Sequence, residues 1–178
     1  MKPITFALIT ATLALTASAQ PPAAKQKAAP SIPNPQIDYR RFMKIAAAAE
    51  SLRESHRLTE EQFIAAAAQP GTVVLDARSA DKFALRHIKG SVNLPFTDFT
   101  VESLAKVIPA KTTKVLIYCN NNFTGSPAAF ASKSAPAALN ISTFVSLTTY
   151  EYTNIYELGP LKDVKNTKIV FEGAEVRN

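Results

Sequence analysis

The sequence Lys114-Val-Leu-Ile-Tyr-Cys119-Asn-Asn-Asn-Phe-Thr-Gly125 joins an apolar run to a polar one at the single cysteine of this 178-residue chain. A β-branched run that ends abruptly at small polar residues is typical of a buried parallel strand. Such strands deliver their last residue to the carboxyl edge of a sheet, where α/β domains bind ligands. Cys119 is therefore the candidate nucleophile. The alternative is a core cysteine that only packs.

Helix and strand signals alternate on both sides of this strand. Helices are predicted from Asp38, from Thr59 to Ala68, near Asp81 to Leu85, near Val101 to Val107 and over Ser142 to Tyr150. Strands are predicted at Thr72 to Asp76, Ser91 to Leu94 and Asn154 to Leu158. Thr59 with Gln62 makes a capping box, and Pro70 with Gly71 ends that helix. The alternation predicts an α/β domain over residues 38–178, with a mostly parallel sheet flanked by helices.

The N-terminal residues predict export. Lys2, the apolar stretch Ile4–Thr16 and the small residues Ala17–Ala19 follow the order of a secretory signal peptide, so residues 1–19 are predicted to be cleaved. Residues 20–37 are rich in Pro and Ala and predict a flexible leader. The mature protein is then periplasmic or secreted, with no membrane span after cleavage. A retained N-terminal anchor is the alternative.

Charge and cysteine content exclude several classes of partner. The formal net charge of +6 is spread along the chain without a concentrated basic block, so no nucleic-acid partner is predicted. One cysteine allows no internal disulfide, and an unpaired thiol in an oxidising compartment is expected to be either buried or used. Two distant histidines and one cysteine make a poor ligand set, so no metal site is predicted.

Five segments of the chain resemble the rhodanese domain in order and spacing. They are Leu58-Thr-Glu-Glu-Gln-Phe63, Val73-Val-Leu-Asp-Ala-Arg78, His87-Ile-Lys-Gly-Ser-Val-Asn-Leu-Pro95, Val115-Leu-Ile-Tyr-Cys119 and Asn154-Ile-Tyr-Glu-Leu158. The resemblance implies a rhodanese-like α/β domain whose cysteine takes a sulfane sulfur from a donor such as thiosulfate, becomes a persulfide, and passes the sulfur to a thiol or cyanide. It implies no metal or organic cofactor.

The resemblance also implies where the substrate binds. The loop after the cysteine forms a cradle of backbone N–H groups, which here corresponds to Asn120, Asn121, Asn122, Phe123, Thr124 and Gly125. Because the attacking form is the thiolate, N–H groups leading into a helix N-terminus are expected to lower the pKa of Cys119 and to hold the terminal sulfur of the persulfide. The expected ligand is a small sulfur-containing anion.

The chain departs from the family pattern in its missing arginine. Family members often carry an Arg in the loop after the cysteine, but none lies between Cys119 and Arg177. Related phosphatases clamp the phosphoryl group with an Arg six positions after the cysteine, and that position is Gly125 here. Phosphate transfer is therefore not predicted.

The second departure is an apparent insertion at residues 126–140. In one picture, Ser126-Pro127 cap a short helix directly after the cradle. In the other, the helix starts near Asn140–Thr143 and the insertion covers the thiol as a lid. The enlarged loop is also a surface on which a protein partner can bind.

Asp76 and Arg78 follow the neighbouring strand and are predicted to form a structural pair that ties the strand end to adjacent loops. Two functions stay open. The first is a sulfurtransferase with Cys119 as the persulfide carrier. The second is a rhodanese-like binding or thiol-sensing module without efficient turnover, which the missing Arg and the insertion favour.

Overall fold

A computed structural model describes residues 32–176, and the account below concerns the compact unit that begins at Gln36. The predicted signal peptide and most of the predicted leader lie outside the described residues. The helices are α1 (Tyr39–Ser55), α2 (Glu60–Ala67), α3 (Ala80–Leu85), α4 (Val101–Val107) and α5 (Leu139–Thr149). The longer strands are β2 (Val73–Asp76), β5 (Val115–Tyr118) and β7 (Ile155–Leu158). Within residues 32–176, no helix has the length and apolarity that crossing a membrane requires.

Six further strands of two residues each complete the structure. They are β1 (Arg57–Leu58), β3 (His87–Ile88), β4 (Val92–Asn93), β6 (Phe123–Thr124), β8 (Lys162–Asp163) and β9 (Phe171–Glu172). The central sheet has five strands in the order β1-β7-β5-β2-β4, and every neighbouring pair is parallel. The prediction of an α/β domain with a parallel sheet flanked by helices is confirmed.

Helices cover both faces of the sheet, which is why its central strands are apolar on both sides. One core packs α1, α4 and α5 against the face that carries Val115 and Ile117. The other packs α2 and the C-terminal segment against the face that carries Leu116 and Tyr118. The four residues of β5 are at most 1% exposed, so the strand before Cys119 lies at the centre of the domain.

The caps of the first two helices are those that the sequence predicts. The Asp38 side chain accepts a hydrogen bond from the backbone N–H of Arg41, and Thr59 with Gln62 forms a complete capping box. Helix α1 packs against α5, with Ala49 buried at their contact. An extra helix thus covers the helix that follows the insertion.

Helix α5 corrects one of the two pictures of the insertion. The first picture is wrong because Ser126 does not open a helix. The Phe130 N–H donates to the Ser126 carbonyl and closes a single turn. The Ser126 hydroxyl does not cap a helix but donates to the Glu175 carboxylate at 2.6 Å. The main helix starts at Leu139, close to the second picture. The loop after Cys119 and most of the insertion lie between the cysteine and this helix.

Candidate active site

Cys119 directly follows β5, at the carboxyl edge of the sheet. Residues of a strand alternate between faces, so Cys119 shares the face of Val115 and Ile117 and points toward α5. The residue is 1% exposed. The strand therefore positions the Cys119 sulfur at the edge where parallel sheets bind ligands, and the residue is buried there.

Backbone N–H groups from two separate segments point at this sulfur. Asn121 and Asn122 supply two of them from the single 3-10 turn that follows the cysteine, and the Asn122 N–H is shared with the Cys119 carbonyl at 3.2 Å. Leu139 and Asn140 supply two more from the first turn of α5. The unpaired N–H groups at the start of a helix carry partial positive charge, so they favour an anionic sulfur.

The other predicted members of the loop lie elsewhere. Asn120 lines a cavity next to the cysteine. Phe123 is fully buried among Phe130 and Phe171, and Thr124 pairs with Asp163 of β8. Gly125 has a φ of 83° and packs so closely that a Cβ there would lie 2.9 Å from an Asp163 carboxylate oxygen. Of the six predicted loop residues, the structure brings only Asn121 and Asn122 to the sulfur through their N–H groups.

The expectation that local dipoles lower the pKa of Cys119 is wrong in direction. Burial raises the pKa of the thiol, and the N–H groups of Asn140, Asn121 and Leu139 offset this only in part. The carboxylate of Glu157 raises it further. The cost of removing the charged form from water outweighs the stabilisation by these dipoles. The thiol is therefore mostly protonated at neutral pH.

The insertion has a buried part and an exposed part. Ala129 and Phe130 are buried, and the Ala128 and Ala129 carbonyls accept from Lys82 and Arg78 at 2.8 Å. Residues 131–137 are exposed. Two hydrogen bonds hold this exposed part near the cysteine: Asn121 Nδ2 donates to the Lys133 carbonyl at 2.8 Å, and the Lys133 N–H donates to Asn121 Oδ1 at 3.0 Å. This arrangement agrees with the lid of the second picture.

A cavity of about 360 Å³ opens beside the cysteine. Two segments that follow neighbouring strands form one wall, and the insertion with the start of α5 forms the other. The lining residues are Ala77, Arg78, Ser79, Lys82, Pro95, Phe96, Thr97, Asn120, Ala131, Lys133 and Leu139. Lys82 and Lys133 give this cavity positive charge at neutral pH, which favours anionic ligands.

Asp76 and Arg78 form a buried ion pair behind the cavity. The guanidinium Nη2 lies 2.5 Å from Asp76 Oδ2, and the side chains are 1% and 0% exposed. Arg78 also donates to the carbonyls of Ala129 and Arg86, both at 2.8 Å. Tyr118 donates to the same carboxylate at 2.5 Å. The pair ties the end of β2 to the insertion, as the predicted structural role requires.

A family model matches the part of the chain that contains this site. The model of the rhodanese-like domain matches residues 59–169, which is more than half of the chain. This chain belongs to the rhodanese-like domain family. The match begins at the cap of α2 and includes Cys119, the insertion and four strands of the five-stranded sheet, β2, β4, β5 and β7.

Several solved structures are similar to this chain at low identity. A rhodanese with anions from E. coli is 20% identical, with 58% of this chain and 99% of that chain covered and a TM-score of 0.39. A thiosulfate sulfurtransferase from Pseudomonas aeruginosa is 20% identical, with 76% and 23% covered and a TM-score of 0.47. The BH2092 protein from Bacillus halodurans is 15% identical, with 82% and 95% covered and a TM-score of 0.46. None of the curated protein sequences matches this chain.

One charged group near the sulfur of this rhodanese-like domain was missed by the sequence analysis. Glu157 pairs in register with Ile117, on the face of the sheet that carries Cys119, and is 1% exposed. Arg53 donates to its carboxylate at 2.7 and 3.0 Å, and Arg57 lies 3.0 Å away. Burial raises the pKa of Glu157 although both arginines lower it. Arg53 and Arg57 are therefore both paired with the Glu157 carboxylate.

The described part of the chain, residues 32–176, holds no group of three or more His, Cys, Asp or Glu residues placed to bind a metal ion. The chemistry that this site supports from its own residues is that of a sulfur nucleophile, surrounded by N–H donors, beside a cationic cavity.

Proposed function

We propose that this rhodanese-like domain is a sulfurtransferase that carries sulfur on Cys119. The single observation that supports this proposal most is the convergence of N–H groups from Asn121, Asn122, Leu139 and Asn140 on one cysteine sulfur. Such donors stabilise the thiolate before attack and the negative terminal sulfur of a persulfide afterwards. They serve both states without a titratable partner.

The proposed reaction has two displacement steps. The thiol first loses its proton to solvent, and the Cys119 thiolate attacks the sulfane sulfur of a donor such as thiosulfate. A new S–S bond forms, the S–S bond of thiosulfate breaks, and sulfite leaves with the electron pair. A thiolate or cyanide then attacks the terminal sulfur of the persulfide and releases the Cys119 thiolate. The cavity with Lys82 and Lys133 is the proposed entry for the anionic donor.

Intact-protein mass spectrometry tests the proposal. After incubation with thiosulfate, the protein is expected to gain the mass of one sulfur atom and to lose it on addition of cyanide. The variant Cys119→Ser, which keeps the size of the side chain, is expected to gain nothing. Absence of the adduct in the unaltered protein, with thiosulfate and with a second sulfane donor such as an organic persulfide, contradicts the proposal.

A second function is favoured by the burial of the thiol. Cys119 is 1% exposed and its pKa is raised, while residues 131–137 of the insertion are exposed. These features suit a binding or thiol-sensing module, in which the exposed segment contacts a protein partner and the cysteine reacts slowly. Absence of a sulfur adduct, together with slow alkylation of Cys119 by iodoacetamide at neutral pH, supports this alternative.

Export of the mature protein stays a prediction from residues 1–37. N-terminal sequencing of the protein recovered from the periplasm or medium of a producing bacterium tests it. A mature start at Gln20 supports the predicted cleavage site, and an uncleaved protein recovered with membranes supports the retained anchor.

A further inference from the structure

The N–H groups that face Cys119 belong to two segments with the insertion between them. The first two come from the turn after β5 and the other two from the start of α5. The chain between these segments includes residues 131–137, which are exposed and irregular apart from one short 3-10 turn at Ala135–Ala137. Helix α5 is placed by its packing against β5 and α1, and a side-chain contact joins its first turn to the turn after β5.

We propose that Asn122 is the positioning residue that joins the two halves of the sulfur-binding cradle. Asn122 Oδ1 accepts from the Cys119 N–H at 2.9 Å and from Asn140 Nδ2 at 3.1 Å. One oxygen atom therefore accepts hydrogen bonds both from the residue that carries the sulfur and from Asn140 in the second half. The inference rests on the proposed function, in which the cradle stabilises the sulfur anion.

The orientation of the Asn122 amide is fixed by its other end. Nδ2 donates to the Leu158 carbonyl at 2.7 Å and to the Pro160 carbonyl at 3.3 Å. Because both donors point at acceptors that cannot donate, the amide oxygen has to face Cys119 and Asn140. The side chain is buried and makes four hydrogen bonds, so it links the end of β7, the turn after β5 and the start of α5.

The side-chain amide of Asn140 makes its contact with Asn122 through one end only. Its Nδ2 is used on Asn122, and its Oδ1 is buried without a hydrogen-bond partner among residues 32–176. A buried acceptor left without a partner is unfavourable, so the contact with Asn122 holds Asn140 in an orientation that its own side chain does not favour. The backbone N–H of the same residue is one of those that face the sulfur.

This role differs from ordinary structural support in what it changes. A residue that only stabilises the fold affects unfolding, whereas Asn122 acts on the pair of segments that set the ionisation of Cys119. Asn93 offers a matched comparison, since its Nδ2 also donates to two carbonyls, those of Asp76 and Arg78, each at 2.9 Å. Asn93 has no contact with the four N–H donors.

The pH dependence of alkylation by iodoacetamide, measured on the full chain, tests the inference. Asn122→Ala is expected to raise the pKa of Cys119 by about one unit, which lowers the alkylation rate at fixed pH about tenfold. Asn122→Asp is expected to raise it at least as much, since a carboxylate loses both donations to the Leu158 and Pro160 carbonyls and adds negative charge beside the sulfur. Asn140→Ala, which keeps the backbone N–H, is expected to give a smaller shift in the same direction.

Asn93→Ala is expected to lower the melting temperature without moving the alkylation profile. The inference is overturned if Asn122→Ala and Asn140→Ala leave the thiol pKa within about 0.3 unit of the unaltered protein, or if Asn93→Ala moves it as far as they do. If Asn122→Ala does not fold, the comparison of Asn140→Ala with Asn93→Ala decides. The readout needs no sulfur transfer, so failure of the proposed function in the thiosulfate experiment leaves this test intact.

Discussion

Replacing Arg78 by methionine tests how far the buried ion pair supports the domain. The side chain of Met fills much of the same space but removes the guanidinium. Asp76, which is 0% exposed, then loses its countercharge and three hydrogen bonds, although the Tyr118 hydroxyl and the Arg78 backbone N–H still reach it. Removing one partner of a buried pair costs about 3–5 kcal/mol, because it leaves an uncompensated charge away from water.

The double variant Asp76→Asn with Arg78→Met separates this cost from loss of packing. Neither charge is left alone in it, so about half or more of the stability lost by Arg78→Met is expected to return. The free energy of unfolding is measured by urea denaturation at neutral pH, followed by circular dichroism. A loss below about 1 kcal/mol for Arg78→Met, or a double variant less stable than the single one, refutes the reasoning.

The same variant has an effect at the active site. Arg78 donates to the Ala129 carbonyl and its guanidinium carbon lies 4.3 Å from the centre of the Phe130 ring, so it holds the buried part of the insertion. Without it, the insertion is expected to open more often, and alkylation of Cys119 is expected to become faster under conditions where the domain is still folded. Unchanged alkylation would show that the insertion is held by its other contacts.

Three further outcomes are expected. Burial raises the pKa of Cys119 above its ordinary value of 9.0, so the alkylation rate of the native protein is expected to rise only in alkaline solution, later than that of the urea-unfolded chain; an inflection below 8 contradicts this. Burial alone would raise the pKa of Glu60, but Lys162, Thr167 and Lys168 lower it to about 2. The stability that ionised Glu60 contributes is therefore fully present above its unfolded-state pKa of 4.5 and is lost as the pH falls toward 2. Glu60→Gln is therefore expected to lower the melting temperature at pH 7 and to match the unaltered protein near pH 2, and an equal loss at both pH values contradicts the reasoning. Asn121→Ala removes both side-chain hydrogen bonds to Lys133, so it is expected to speed alkylation of Cys119 severalfold, whereas Asn154→Ala, which alters a distant hydrogen bond to Thr112, is not.

Local signals explain which parts of the fold were predictable from the sequence. The apolar run before Cys119 and the capping box of Thr59 specify their elements within a few residues, and both were predicted at the right place. The start of α5 was placed three residues late, at Ser142. Its actual cap is Ala138, whose side chain makes no capping hydrogen bond, so the sequence carries no polar signal there. The first turn of α5 is held by Asn122 instead.

The candidate site was predictable only as far as its chemistry is local. Cys119 follows from the strand pattern and the family resemblance, and Asn121 and Asn122 follow from their place in the loop. The direction of the pKa shift of Cys119 depends on tertiary structure: the burial of the thiol and the carboxylate of Glu157, which is distant in sequence, both raise it. Such contributions come from tertiary packing, which residue patterns around the cysteine do not contain.

The proposed two-segment cradle offers a reason why this domain accommodates an insertion next to Cys119. When the N–H donors belong to one tight loop, added residues displace them. Here the turn after β5 and the start of α5 are joined by the side chain of Asn122, so the chain between them is free to lengthen. Closing a longer loop costs little, about 0.6 kcal/mol for each doubling of its length, and the hydrogen bonds of Asn122 to Cys119 and Asn140 involve no residue of 131–137. Shortening residues 131–137 is therefore expected to uncover the thiol while leaving its N–H donors in place.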